Sequence, residues 1–228
     1  MNFLQDTVVL VLGLGESGLA MARWCAGHGA SVRVWDSREA PALTGALAEH
    51  VPGAVWIRRA LTGDVIETTL ADVKLVLKSP GLSPFDAAVA PLLQRAAAIG
   101  LPVQGELDLF ARALADLKDE RGYAPKVLAI TGTNGKTTTT AMTAHLVART
   151  GKRVAVAGNI GPTMLQTLAD ALALEPVRDP IEAAPIHDEP TPEAEEVALE
   201  DIADLQALDG APANDTLVDQ PADDTDSA

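Results

Sequence analysis

Gly132-Thr133-Asn134-Gly135-Lys136-Thr137-Thr138 sets two glycines, a lysine and several hydroxyls between an apolar strand-like run, Lys126-Val127-Leu128-Ala129, and a helix-like one, Thr139 to Arg149. Glycines in such a turn let successive backbone N–H groups approach an anion, and the helix that follows adds positive potential at its first turn. Lys136 can reach the outer phosphates of a nucleotide, and the Thr137 hydroxyl can ligate Mg²⁺. The chemistry predicted is ATP binding, with Lys136 stabilising charge on a transferring phosphoryl group. The pattern departs from the usual G-x-x-x-x-G-K-[ST]: Ile130 occupies the first glycine position, and a glycine stands instead at Gly132. An ordinary strand-to-helix turn that happens to contain Gly-Lys-Thr is the plainer reading, but the glycine spacing and both flanking elements agree with a phosphate cradle.

A second glycine cluster lies near the amino terminus. Gly13-Leu14-Gly15-Glu16-Ser17-Gly18 follows the apolar run Thr7–Leu12, and Asp36 closes the next apolar run. A G-x-G-x-x-G turn with an acidic residue some twenty positions on is the arrangement of dinucleotide-binding domains, so an NAD-dependent dehydrogenase is one reading. The glycines alone establish only an anion-friendly turn, which any nucleotide diphosphate could use; tight helix–sheet packing would also ask for them. A third loop, Lys78-Ser79-Pro80-Gly81-Leu82-Ser83-Pro84, follows a further buried strand and belongs to the same carboxyl edge of the sheet, where open α/β folds bind ligands.

These loops need a scaffold of alternating strands and helices. Strands are predicted over Thr7–Leu12, Ser31–Asp36, Ala54–Ile57, Val73–Leu77 and Pro102–Gln104. Helices are predicted from the glycine turn to His28, over Ala42–His50, over Ala87–Ile99 with Pro91 near its start or dividing it, and over Glu106–Arg121. Short apolar strands between helices imply a parallel sheet covered on both faces. Residues 118–125, polar and containing Gly122 and Pro125, read as a linker, after which the pattern restarts with strands at Val127–Thr131 and Arg153–Ala157 and a helix from Pro162 to Leu172. The fold expected is therefore α/β, with a Rossmann-like domain over 1–122 and the start of a P-loop ATPase-type domain over 123–174. Two strands and two helices are too few to close that second domain.

Beyond residue 174 the composition changes. Residues 175–228 hold 17 of the 32 acidic residues, one of the 17 basic ones and seven of the fifteen prolines, and no aromatic residue. The formal charge of −15 thus belongs to this segment, and the body is nearly neutral, which excludes the basic surface of a nucleic-acid-binding protein. So little apolar surface cannot offset ordering entropy, so disorder is predicted there. The single cysteine, Cys25, lies in an apolar helical stretch and reads as a core residue in a reducing compartment. No basic stretch followed by an apolar run opens the sequence, and it has no run of 18 apolar residues. A monomeric cytoplasmic protein with no membrane insertion is expected.

The phosphate loop resembles that of the Mur ligases and folylpolyglutamate synthases, which join an amino acid to a carboxylate with ATP. The resemblance to the D-glutamate-adding branch of the Mur ligases is broader. It is carried by Val11–Gly18, Asp36-Ser37-Arg38, Lys78-Ser79-Pro80-Gly81, Gly105-Glu106-Leu107-Asp108-Leu109-Phe110, Gly132–Thr138 and Gly158-Asn159-Ile160-Gly161, in family order over about residues 4–170. It implies that the first domain holds UDP-N-acetylmuramoyl-L-alanine rather than NAD. Glu16 and Ser17 would meet the diphosphate region, Asp36, Ser37 and Arg38 the uracil and ribose, Gly81 the same cleft, and Asn159 the muramoyl-alanine end. Gly132, Thr133, Asn134, Gly135, Lys136, Thr137 and Thr138 would hold ATP, with Thr137 on Mg²⁺. The implied reaction phosphorylates the alanyl carboxylate to an acyl phosphate, which the D-glutamate amine then attacks. Without the resemblance, Ser17 could be a helix cap, Arg38 a solvated charge and Asn159 a turn residue.

Family members also carry a Glu-Leu-Ser-Ser-type strand, a histidine, a modified lysine and a domain for D-glutamate, none of which follows here. The chain is therefore expected to be truncated and unable to complete the reaction alone. The competing readings are another Mur ligase or a folylpolyglutamate synthase, a dehydrogenase, and a non-catalytic nucleotide-binding fragment whose acidic segment recruits a partner.

Overall fold

A computed structural model describes residues 3–158 and 161–175. The strands are β1 (Val8–Leu12), β2 (Ser31–Trp35), β3 (Val55–Ile57), β4 (Val73–Lys78) and β5 (Val103–Gln104). All pair in parallel, in the order β3-β2-β1-β4-β5. The order doubles back between β1 and β4, so their carboxyl ends flank the crevice at which sheets of this kind bind ligands. Leu12 pairs with Lys78 at that end, placing the glycine turn beside the loop after Lys78.

The period of two along each strand divides the core into two layers. Val9 and Val11 of β1 join Val32 and Val34 of β2 and Leu75 and Leu77 of β4 on one face. Over them lie Met21, Trp24 and Cys25 of α1 (Glu16–Gly27), Leu47 of α2 (Thr44–His50), and Leu109, Ala113 and Leu117 of α5 (Glu106–Arg121). Leu10 and Leu12 turn to the opposite face with Trp35, Val73 and Val76, under Ile66 and Leu70 of α3 (Asp64–Leu70) and Leu92 and Ala96 of α4 (Ala90–Ala98). A Leu or Val so buried contributes roughly 1.5–3 kcal/mol.

Several boundaries move. The α4 helix starts at Ala90 rather than Ala87, because the Asp86 carboxylate accepts from the Ala88 amide in a turn; Pro91 then falls in the first helical turn, where its missing N–H costs nothing. The α5 helix has its expected span, Glu106–Arg121, closed by Gly122 in the left-handed conformation at φ 65°, so residues 118–121 belong to it and only the start of the expected linker moves. The α3 helix, seven residues long with two threonines, has too little periodicity to be read from sequence.

The expected strands Val127–Thr131 and Arg153–Ala157 do not form. A parallel strand exists through its neighbours' hydrogen bonds and cover on both faces, and among the described residues none pairs with either segment. Val127 and Leu128 are 57% and 67% exposed. Between these segments α6 (Lys136–Ala148) buries none of its residues. The α7 helix (Met164–Ala173) instead joins the amino-terminal core, inserting Leu165 and Leu168 against α1 and α5. Among the described residues no helix is long and apolar enough to cross a membrane. The disorder predicted for 175–228 concerns a stretch that, from residue 176, lies outside the described residues.

Cys25 is fully buried, and burial pushes its thiol up to about 12. Native protein should therefore be inert to an aromatic disulfide reagent at pH 8, with one thiol titrating only once denaturant unfolds the sheet. Rapid native labelling would contradict the packing of α1.

Candidate functional site

The turn after β1 is built from contacts that leave little room for other residues. Gly13 takes φ 91°, a left-handed conformation that only glycine adopts freely, and its N–H donates to the Trp35 carbonyl at 2.7 Å. The Gly13 carbonyl accepts from Ser79 Oγ at 2.9 Å, and the Ser79 amide donates to Leu12 O, also at 2.9 Å. Ser79 is buried and clasps the glycine turn to the loop after β4. Lys78 folds over that loop, its Nζ donating to Ser79 O at 3.1 Å and Leu82 O at 2.8 Å. Gly81, within it, is exposed at the mouth of the crevice.

Helix α1 starts from Gly15 with no side chain capping it, so Ser17, at the second helical position, is not its cap. Glu16 is exposed and Ser17 half-buried in that first turn. Uncapped amides there are donors for an anion.

Asp36 is the pivot of the site. Its carboxylate is 3% exposed and accepts four hydrogen bonds: from the Leu14 amide at 2.6 Å, and from the Arg38 amide, Nε and Nη2, each at 2.8 Å. Arg38 Nη2 also donates to Leu14 O at 3.2 Å, so the Leu14 peptide is gripped at both ends. Burial disfavours the charged carboxyl, but the Arg38 guanidinium with the Leu14 and Arg38 amides outweighs it and holds the group below its ordinary value. The same pairing raises Arg38, whose side chain is 58% exposed at the edge of the crevice beside the exposed Ser37. A ribose-binding carboxylate needs a free acceptor for the 2′-hydroxyl; the lone pairs of Asp36 are committed to the protein.

Asp36→Asn should cost about 2 kcal/mol, because the amide sets an NH₂ against the donors of Leu14 and Arg38. The depressed carboxyl contributes stability that is complete above the ordinary aspartate value, near 3.9, and lost as pH falls through its lower folded value. Urea denaturation should thus show a constant difference between variant and parent from pH 8 to 5 that narrows only in stronger acid.

The second loop lies apart from the sheet. Gly132 and Gly135 take φ 149° and 73°, and Gly135 begins α6 with no side-chain cap and no acidic residue in the first turn. Residues 132–138 are all exposed. Lys136 Nζ donates to Gly132 O at 2.6 Å and Thr133 O at 3.3 Å, curling back over its own loop. A lysine held there, with free amides on a 13-residue helix, suits a phosphate chain. Among the described residues no group of three or more His, Cys, Asp or Glu gathers to hold a metal, and the Thr137 side chain is exposed at the second position of α6. Asn159 lies outside the described residues; Gly158, before it, donates its N–H to the Pro162 carbonyl at 3.1 Å.

Sequence reasoning reached the three loops but missed the clasp of Ser79 and the fold-over of Lys78. Their adjacency at the end of a buried strand was the available signal.

A parallel sheet thus reverses order beside a G-x-G-x-x-G turn, and a separate glycine-lysine-threonine loop opens a second helix further along the chain. Residues 7–105 match the family described as Mur ligase MurD-like, N-terminal domain, and residues 130–178 match the Mur ligase middle domain. The chain belongs to the Mur ligase family. It is 60% identical over 169 residues to the UDP-N-acetylmuramoylalanine–D-glutamate ligase of Ralstonia nicotianae, a match covering 74% of this chain and 33% of that protein. The ligases of the same name from Albidiferax ferrireducens and Cupriavidus pinatubonensis are 58% and 57% identical over 76% and 75% of this chain, and 33% of each relative. The chain spans about a third of the length of these curated relatives.

Proposed function

We propose that this chain carries the UDP-substrate domain and the ATP loop of a ligase that adds D-glutamate to UDP-N-acetylmuramoyl-L-alanine in the cytoplasm, a step of peptidoglycan precursor synthesis. The observation that carries the reading is the saturation of Asp36 by Leu14 and Arg38. It removes the acceptor a dinucleotide's ribose would need and leaves Arg38 beside the crevice. The identity to D-glutamate-adding ligases supports the same choice.

In this reading Glu16 and Ser17 meet the diphosphate at the uncapped start of α1, Ser37 and Arg38 meet the uracil and ribose with Asp36 holding Arg38 in place, Gly81 lines the cleft, and Asn159 serves the muramoyl-alanine end. Gly132 to Thr138 hold ATP, with Thr137 on Mg²⁺. Bound there, ATP supplies a terminal phosphoryl group to the alanyl carboxylate. Lys136 and the loop amides offset the charge that spreads over the transferring group, and no protein nucleophile is needed. The carboxylate so activated is open to the D-glutamate amine, and phosphate leaves.

Thermal unfolding with UDP or NADH separates this from the dehydrogenase reading. At a hundredfold excess over its dissociation constant a ligand adds about 2.7 kcal/mol to stability, which raises Tm by several degrees. UDP should protect and NADH should not; protection by NADH alone would overturn the assignment.

A further inference from the structure

Glu106 is a buried acid that its own helix does not use. The start of α5 is already capped: the Gly105 amide donates to the Asp108 carboxylate at 2.8 Å. Glu106, 6% exposed, reaches elsewhere, and its Oε1 accepts the backbone N–H of Leu165 at 3.0 Å, 59 residues away in sequence. Leu165 is the second residue of α7. The next amide in that helix, Gln166, is taken by the Thr163 hydroxyl at 3.3 Å. Thus one of the amides at the start of α7 is satisfied by its own cap residue, Thr163, and another by a carboxylate from α5. A negative charge there also suits the helix dipole.

The position of this contact gives it a function. Gly105 follows β5, and a Cβ built on it would lie 3.8 Å from the Lys78 carbonyl at the end of β4. Neighbouring residues therefore follow the carboxyl edge from Gly13, through the hydrogen bonds of Ser79 and Lys78, to Gly105 close by the Lys78 carbonyl, and from Glu106 a hydrogen bond reaches the first turn of α7. Leu165, 1% exposed, and Leu168, 4% exposed, press that helix into the core, while Arg23 Nη1 on α1 donates to Gln166 Oε1 at 2.7 Å. Apolar contacts allow a helix to slide or turn, whereas a buried hydrogen bond to one amide fixes its register.

We propose that Glu106 is a positioning residue: it locks the first turn of α7, residues 163–165, onto the substrate edge of the sheet. The part of a UDP-linked substrate that extends past its diphosphate along this edge then depends on Glu106, while the nucleotide does not. This rests on the reading of the crevice as a UDP-substrate site.

The test compares the full 228-residue chain with Glu106→Ala, which removes the acceptor, and Glu106→Gln, which keeps one oxygen. Amide exchange at Leu165, followed by NMR, should quicken at least about tenfold in the alanine variant and return close to the parent rate in the glutamine variant. By calorimetry UDP should bind all three proteins within twofold. UDP-N-acetylmuramoyl-L-alanine should bind the alanine variant about tenfold more weakly, with most of the loss restored by glutamine. Unchanged exchange at Leu165 would overturn the anchoring, and equal weakening of both ligands would overturn the positioning role in favour of general loss of fold. If neither ligand binds the parent while exchange at Leu165 still quickens, the anchoring stands and the reading of the crevice falls.

Discussion

Gly18→Ala should be among the most damaging single substitutions in the chain, lowering stability by at least about 4 kcal/mol or preventing folding. A Cβ at this position would overlap the Gly13 carbonyl oxygen and lie 3.0 Å from Ser79 Oγ. The obstacle is backbone, held in place by Gly13's bond to Trp35 and Ser79's bond to Gly13, so no flexible side chain can swing aside. Helix α1 would have to lift from the turn, opening the layer that Met21 and Cys25 fill. Gly15→Ala is the control. A Cβ there meets nothing within 4 Å, and its φ of −93° suits any residue, so that variant should stay within about 1 kcal/mol of the parent. Guanidinium denaturation of both measures the difference; similar midpoints would mean that α1 is not seated on the turn.

Lys136→Ala should weaken ATP binding at least about a hundredfold, since a charge-assisted contact to the phosphates and its long reach are lost together. The fold should not notice. Lys136 is exposed, and its two hydrogen bonds go to carbonyls of its own loop. Titration with ATP and, separately, with UDP distinguishes a local defect from a global one. Loss confined to ATP supports two independent nucleotide sites, whereas unchanged ATP affinity would remove the phosphate-cradle assignment.

The amino-terminal sheet was legible because its central strands are short apolar runs whose successive residues find cover on both faces, as Val9 and Leu10 do on opposite sides. Helix ends were legible where a local device marked them, as Gly122 does for α5. What escaped was non-local. Val127–Thr131 has the composition of a strand, but a strand is a relation between segments, and composition does not supply the neighbour. Asp36 was found by its position, yet its partners, Leu14 and Arg38, turn the expected ribose acceptor into a brace for the glycine turn. Glu106 stood out only as part of the Gly105–Phe110 stretch, and its bond to α7 gave no signal, since a glutamate at a helix start looks like charge complementing its own dipole.

The bareness of α6 carries an energetic consequence. A 13-residue helix with no fully buried residue, and whose first turns read Lys-Thr-Thr-Thr-Thr, takes little support from packing, and β-branched threonines lower its intrinsic propensity. Its amides should open with free energies far below those of β1 or β4 and exchange with solvent long before the sheet does. On the proposed reading, a phosphate ligand at Gly135 meets a helix whose ordering it must complete. Part of its intrinsic affinity goes into quieting α6, and slowed exchange along Lys136–Ala148 becomes the direct spectroscopic sign that the loop has been filled.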